Sequence, residues 1–296
     1  MNQQDTQQIF KGMRQFRYQR AEVLLADARK SPYYWWWTYL RLSKDYWWVC
    51  QCDGRADDSR LRSMYRHFGN VFDTGFDHWW QTNGKDLFAE RMQPPAVREL
   101  DRVNLRLSPG TNDHLLLEIP LNLTEATIVR QVKQILRDHP SREVERRSSA
   151  LRPLAKFTGI RKDLLQIAHA TWQMHWESRD FTQTYQVGQV QGSKSLYQIG
   201  KELRLVRSCM PVSTDNAERA AKRVNGMKVA VSRMLTRANC LANNAAVGVF
   251  PCVQPLSEPI VWRAVQLKRM QQAVEQGQWQ PQFESLHQQA DELDQP

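Results

Sequence analysis

The sequence predicts a mainly α protein, with a tryptophan-rich helical subdomain at its N-terminus, a small β-hairpin, and a C-terminal helical subdomain of helix-turn-helix type. Three observations predict it. Pro32 to Gln51 reads PYYWWWTYLRLSKDYWWVCQ, apolar at helical spacing with no glycine to interrupt it. Ala217 to Asn244 repeats that period over a longer span, with apolar and cationic residues on opposite sides. The 296 residues carry a net charge of +10 and a pI of 9.5, which point to a polyanionic partner. Hydrophobic content of 41% suits a folded core, and no apolar stretch is long enough to span a bilayer, so no membrane partner is expected.

The first domain is expected over residues 1–93. Residues 8–30 alternate basic and apolar side chains in a helical rhythm (Ile9, Met13, Phe16, Ala21, Leu24, Leu25, Ala28), and Ser31-Pro32 ends that helix and starts the next. If Pro32 to Gln51 is one helix, Trp35, Trp36, Tyr39, Leu40, Tyr46 and Trp47 gather on a core side. Tyr34, Trp37, Arg41, Lys44 and Trp48 line another side, and the aromatic and arginine content of Trp37, Arg41, Lys44 and Trp48 suits a partner surface. Trp35, Trp36 and Trp47 are expected to pack against Trp79, Trp80 and Phe68. Asp57 or Asp58 can cap a helix over Arg60 to His67 that ends at Gly69, and a further short helix spans Phe76 to Gln81.

Residues 94–140 read as a connector of hairpin plus helix. Pro94-Pro95 breaks the pattern, and the strand-like runs Val103 to Leu107 and Leu115 to Ile119 flank a turn built on Ser108, Pro109, Gly110 and Asn112. Thr124 then opens a helix with an apolar stripe of Ile128, Val129, Val132, Ile135 and Leu136, closed by Asp138-His139-Pro140. Residues 141–253 form the predicted DNA-binding domain. It begins with a basic loop whose Arg146, Arg147, Arg152, Lys156 and Arg161 suit a phosphate backbone, although a solvated charge run is the commoner meaning. Helices are expected over Ile160 to Arg179, within Ser195 to Leu205, and over Ala217 to Asn244 with a break at Gly226. Residues 254–296 supply a C-terminal helix and an acidic tail that has no Lys or Arg from Gln271 onward.

From Met227 the long helix separates cleanly. Met227, Ala230, Val231, Met234, Leu235, Ala238 and Leu241 fall on one side, and Lys228, Ser232, Arg233, Thr236, Arg237, Asn239 and Asn243 on the other, with no acidic residue among them. Arginine forks for guanine and phosphate, an amide for adenine and hydroxyls for phosphate are the chemistry of a helix in the major groove of double-stranded DNA. LYQIGKELRL, with Leu196, Ile199, Gly200 and Leu203 facing inward, has the proportions of a supporting helix. The connection from Val206 to Asn216 is longer than the usual three- or four-residue turn. An ordinary amphipathic helix with a basic exposed face would give the same pattern.

Two stretches carry a family resemblance. Tyr39-Leu40-Arg41-Leu42-Ser43-Lys44-Asp45-Tyr46 resembles the opening of the N-terminal transcriptional regulator domain found on proteobacterial integrative and conjugative elements. The order Asp163 to Trp172, Ile199-Gly200, then Val231-Ser232-Arg233-Met234-Leu235 with Ala238 and Gly248, is similar to that domain's companion helix-turn-helix domain. The resemblance implies a DNA-binding transcriptional regulator of a bacterial mobile genetic element, including control of genes for excision and transfer.

Other readings lack residues to support them. The seven histidines form no H-E-x-x-H, and no G-x-S-x-G, Walker or Rossmann glycine pattern is present, so no enzyme and no catalytic residue is expected. Cys50-x-Cys52 has no second close pair to complete a zinc site, distant His67 being the weaker alternative, and no metal or cofactor is expected. The N-terminal residues show no secretory signal, so the expected place is the cytoplasm. The protein partners that suit the sequence are a second copy in a homodimer or another mobile-element protein. Two alternative functions remain: a structural or interaction protein of a mobile element or phage assembly that docks through its tryptophan face, and a single-stranded nucleic-acid binder.

Overall fold

The computed structural model describes Phe10, Met13 and residues 21–90, 117–138, 148–155, 162–178 and 194–283. In chain order the helices are α1 (Ala21–Arg29), α2 (Pro32–Leu40), α3 (Lys44–Gln51), α4 (Ser59–Phe68), α5 (Phe76–Trp79), α6 (Lys85–Phe88), α7 (Glu125–Asp138), α8 (Lys162–Glu177), α9 (Leu196–Glu202), α10 (Ala217–Ala246) and α11 (Ala264–Glu275). A π-helical turn, Trp80–Gly84, joins α5 to α6, and a 3-10 turn, Arg207–Cys209, lies between α9 and α10. No helix among the described residues is long and apolar enough to cross a membrane.

The mainly α expectation fits, and the β-hairpin does not. The described residues contain no strand, and an isolated bridge between Phe10 and Ala89 is their β pairing. Val103 to Leu107 and the expected turn lie outside the described residues. Of the second run, Leu117 to Ile119 is irregular chain leading into α7, and Pro120 after it has no N–H to donate to a ladder. Two compact units are present, Met1–Glu90 with Ala150–Pro296, and Arg91–Ser149. The tryptophan-rich and helix-turn-helix-like segments, expected as separate domains, therefore share one unit. In the smaller unit α7 follows Thr124, whose hydroxyl accepts from the Thr127 N–H at 3.4 Å, and none of its residues is buried.

The tryptophan run is two helices rather than one. Ser31 caps α2 by accepting from the Tyr33 N–H, with Pro32 at the first helical position where its missing N–H costs nothing. Ser43 caps α3 by accepting from the Tyr46 N–H at 3.2 Å, so the chain turns at Arg41 to Ser43 and the faces drawn on a continuous wheel do not persist. All of Tyr33 to Leu40 is buried as a result. Trp36 stacks on Phe250, meets Phe68 and Phe88 at a tilt, and donates its indole N–H to the Ala245 carbonyl at 3.2 Å. Tyr39 donates its hydroxyl to the Leu165 carbonyl at 2.9 Å. The central helix thereby ties α8 and α10 to the aromatic core.

Trp35, Trp36, Phe68, Trp79 and Trp80 share one buried core, where the expected ring contact is present for Trp36 with Phe68 and the other tryptophans have different ring neighbours. Trp35 packs on Tyr34, Tyr39 and His169, and Trp47 on Trp48. Trp79 meets Phe68, Phe76 and Phe88, while Trp80 meets Phe10, Tyr33, Phe76 and Phe88. Asp58 caps α4 by accepting from the Arg60 N–H at 2.9 Å, and Gly69 follows the helix at φ 65°, a conformation that suits glycine.

Candidate nucleic-acid interface

Helix α10 is an uninterrupted 30 residues, about 45 Å long. Asn216 caps it by accepting from the Arg219 N–H at 2.9 Å. The break expected at Gly226 is absent. A Cβ there would lie 2.8 Å from the Cys209 sulfur, so the glycine answers to a close approach of the loop and not to a turn. That loop is held along the helix by Asp215 paired with Arg223 at 2.6 Å and by Arg223 donating to the Ser208 carbonyl.

Helices α8 and α9 support α10 from behind. Met227, Val231, Ala238, Leu241, Ala242, Ala245 and Ala246 are buried, and the run of alanines lets the Trp36 indole reach the helix backbone. Ser195 and Gln198 form a reciprocal capping box at the start of α9. A Cβ on Gly200 would lie 2.5 Å from the Met227 Cγ and 2.9 Å from Val231 Cγ2, so glycine sets how closely α9 meets α10.

Burial of the inner stripe turns the other side of α10 outward. Lys228, Ser232, Arg233, Thr236, Arg237 and Asn239 are all exposed. The first five, with Val229, line an open depression of about 450 Å³. Thr236 spends its hydroxyl proton on the Ser232 carbonyl at 3.0 Å, leaving the oxygen as an acceptor and its methyl free. Asn239 lies beside a second groove, of about 370 Å³, that α10 shares with Trp172, His175 and Trp176 of α8.

The electrostatics of this face follow from its pairings. Residues 194–246 hold ten Lys and Arg and three carboxylates. Each carboxylate is taken: Glu202 by Lys194 at 2.6 Å, Asp215 by Arg223, and Glu218 by Lys222 at 2.8 Å. Lys201, Arg204, Arg207, Arg219, Lys228, Arg233 and Arg237 form no ion pair among the described residues. An excess of unneutralised cations in one segment raises the local positive potential and attracts polyanions. Lys201, Arg204, Arg207 and Arg219 were not singled out by sequence pattern, though the charge imbalance of this segment could have found them.

The other sequence-derived candidates part from this face. Arg152 lies inside the fold, donating to His67 Nδ1 at 2.7 Å and to the Ser63 hydroxyl at 2.6 Å, and its backbone N–H donates to the Leu87 carbonyl at 2.9 Å. Burial lowers the pKa of its guanidinium from the ordinary value. Its side chain is engaged in bracing α4. Arg146, Arg147, Lys156 and Arg161 lie outside the described residues.

The tryptophan-side partner surface is likewise corrected. Trp37 is 0% exposed, packed on Tyr34 and Phe76, with the Arg41 guanidinium 4.5 Å from its ring centroid. Arg41 donates to Gln282 Oε1 at 2.9 Å, Trp48 is half-buried, and Lys44 alone of the four is exposed. The turn at Ser43 is the cause, because it folds the second face inward together with the first. Every tryptophan of the chain is buried or half-buried, and of the half-buried ones Trp172 and Trp176 line the second groove. Burial pushes the Cys50 thiol up to about 12, far from the thiolate that a metal needs. Among the described residues no cluster of His, Cys, Asp and Glu is placed to hold a metal ion.

The fold and this surface define a mainly α protein that presents an unpaired cationic helix face. Comparison with protein families, with curated proteins and with solved structures gave no match.

Proposed function

We propose that the chain is a DNA-binding transcriptional regulator, of the mobile-element kind its sequence patterns resemble, that places α10 from Met227 onward in the major groove of double-stranded DNA. The observation that carries this reading is the set of seven unpaired cations on α9, α10 and their connection, where every carboxylate of the segment is already neutralised. Arg233 and Arg237, one turn apart on the exposed face, suit bidentate contact with guanine O6 and N7. Ser232 and Thr236 beside them suit phosphate or base edges, and Asn239 suits adenine. Lys201, Arg204, Arg207 and Arg219 supply charge for the flanking phosphates.

The test is binding of the full chain to duplex DNA from its own gene neighbourhood and to sequences selected from a random pool. Arg233→Ala and Arg237→Ala each weaken specific binding by about 1–3 kcal/mol, roughly 5- to 150-fold, if each reads a base. Unchanged affinity in both variants removes α10 as the reading element.

A further inference from the structure

An apolar side chain sits in the middle of the cationic face. Val229 is 48% exposed and lines the same depression as Lys228, Ser232, Arg233, Thr236 and Arg237. It stands one turn before Arg233 and two turns before Thr236, so its neighbours toward the C-terminus on this face are the polar Ser232, Arg233 and Thr236. Its β-branched side chain is also a weaker helix former than alanine or the long polar residues, so local helix stability does not call for it. A methyl-bearing side chain on a surface that meets DNA matches the thymine C5-methyl, the apolar group that base pairs present in the major groove.

On this ground, and resting on the DNA-binding reading above, we propose that Val229 reads a thymine methyl, and that the recognised half-site carries a thymine beside the guanines read by Arg233 and Arg237. Spacing narrows the position. Val229 and Arg233 are four residues apart, about 6 Å along the helix, and successive bases of one strand are about 3.4 Å apart. A helix running along the groove therefore sets the thymine about two base pairs from the guanine of Arg233. Arg233 supplies the hydrogen-bonding half of this recognition and Val229 the apolar half. Cytosine in place of the thymine would present an amino donor and no methyl to the valine.

The test replaces thymines one at a time by deoxyuridine in the duplex selected from the random pool, which removes the methyl and keeps base pairing. One replacement, about two base pairs from a guanine on which binding depends through Arg233, should weaken binding of the full chain roughly four-fold, the equivalent of about 0.8 kcal/mol for one buried methylene. Val229→Ala should bind the thymine and deoxyuridine duplexes alike at that position, and its helix content by circular dichroism should match the parent chain. A selected duplex that depends on Arg233 yet binds equally well with every thymine replaced overturns this inference alone. So does a Val229→Ala protein that keeps the full preference for thymine. A pool from which no sequence is enriched overturns the inference together with the DNA-binding reading.

Discussion

His169 shows what the aromatic core does to a single titratable group. It lies between Trp35, Tyr39 and Phe283 with ring centroids 5.7, 6.2 and 5.5 Å away, and neither ring nitrogen has a hydrogen-bond partner. Burial lowers its pKa from 6.5 to about 4, since a charged imidazolium would lose its hydration there without compensation. The folded chain then takes up this proton only near pH 4, while the unfolded chain takes it up below 6.5. Stability is full above that window and falls on acidification through it, by about 1.4 kcal/mol for each pH unit. Urea unfolding between pH 7 and 4.5 should show the decline. His169→Leu should remove most of it, and an unaltered pH profile in that variant would place the acid sensitivity elsewhere.

At the scale of the element, the contact between α9 and α10 is the one most open to test. Alanine is normally the better helix former than glycine by about 0.8–1.0 kcal/mol, so Gly200→Ala would stabilise an isolated α9. Here its Cβ would stand 2.5 Å from the Met227 Cγ, and the side chain or the helix must shift. The expected outcome is a loss of about 1–3 kcal/mol and a lower melting temperature, the packing cost exceeding the propensity gain. A higher melting temperature would mean that Met227 gives way freely. Ordinary helix signals were legible here in sequence, including the serine at residue 195 that starts α9. The closeness of two helices was not, because glycine inside a helix reads as a weak point until the neighbouring side chain is known.

At the scale of the molecule, the unpaired cations set how binding responds to salt. Each phosphate neutralised releases a counterion and contributes about −0.9 to the slope of log affinity against log salt, so seven contacts limit this surface to a slope of about −6. Fluorescence anisotropy on a duplex across salt concentrations should give a slope no steeper than that, and Arg233→Ala combined with Arg237→Ala should flatten it by at most about 2. A steeper slope would bring in further cations, for which Arg146, Arg147, Lys156 and Arg161 of the basic loop are the sequence candidates.

What the sequence determined by itself was local. Pro32 after Ser31, a cap at Asp57 or Asp58 with Gly69 closing its helix, Thr124 before α7 and the apolar stripe of α10 each act over one or two turns, where capping and periodicity are decisive. The exposed face of α10 was legible for the same reason: its inner stripe is regular enough to fix which side faces water. Only the tertiary structure decided that the tryptophan run folds at Ser43, that Trp37 belongs to the core, that Arg152 braces α4 and that the first and last thirds share one unit. Those outcomes depend on partners far along the chain, such as Ala245 and Phe250 against Trp36. Hydrophobic attraction has no direction of its own, so an aromatic-rich segment states that it will be buried and leaves to the assembled core which residues cover it.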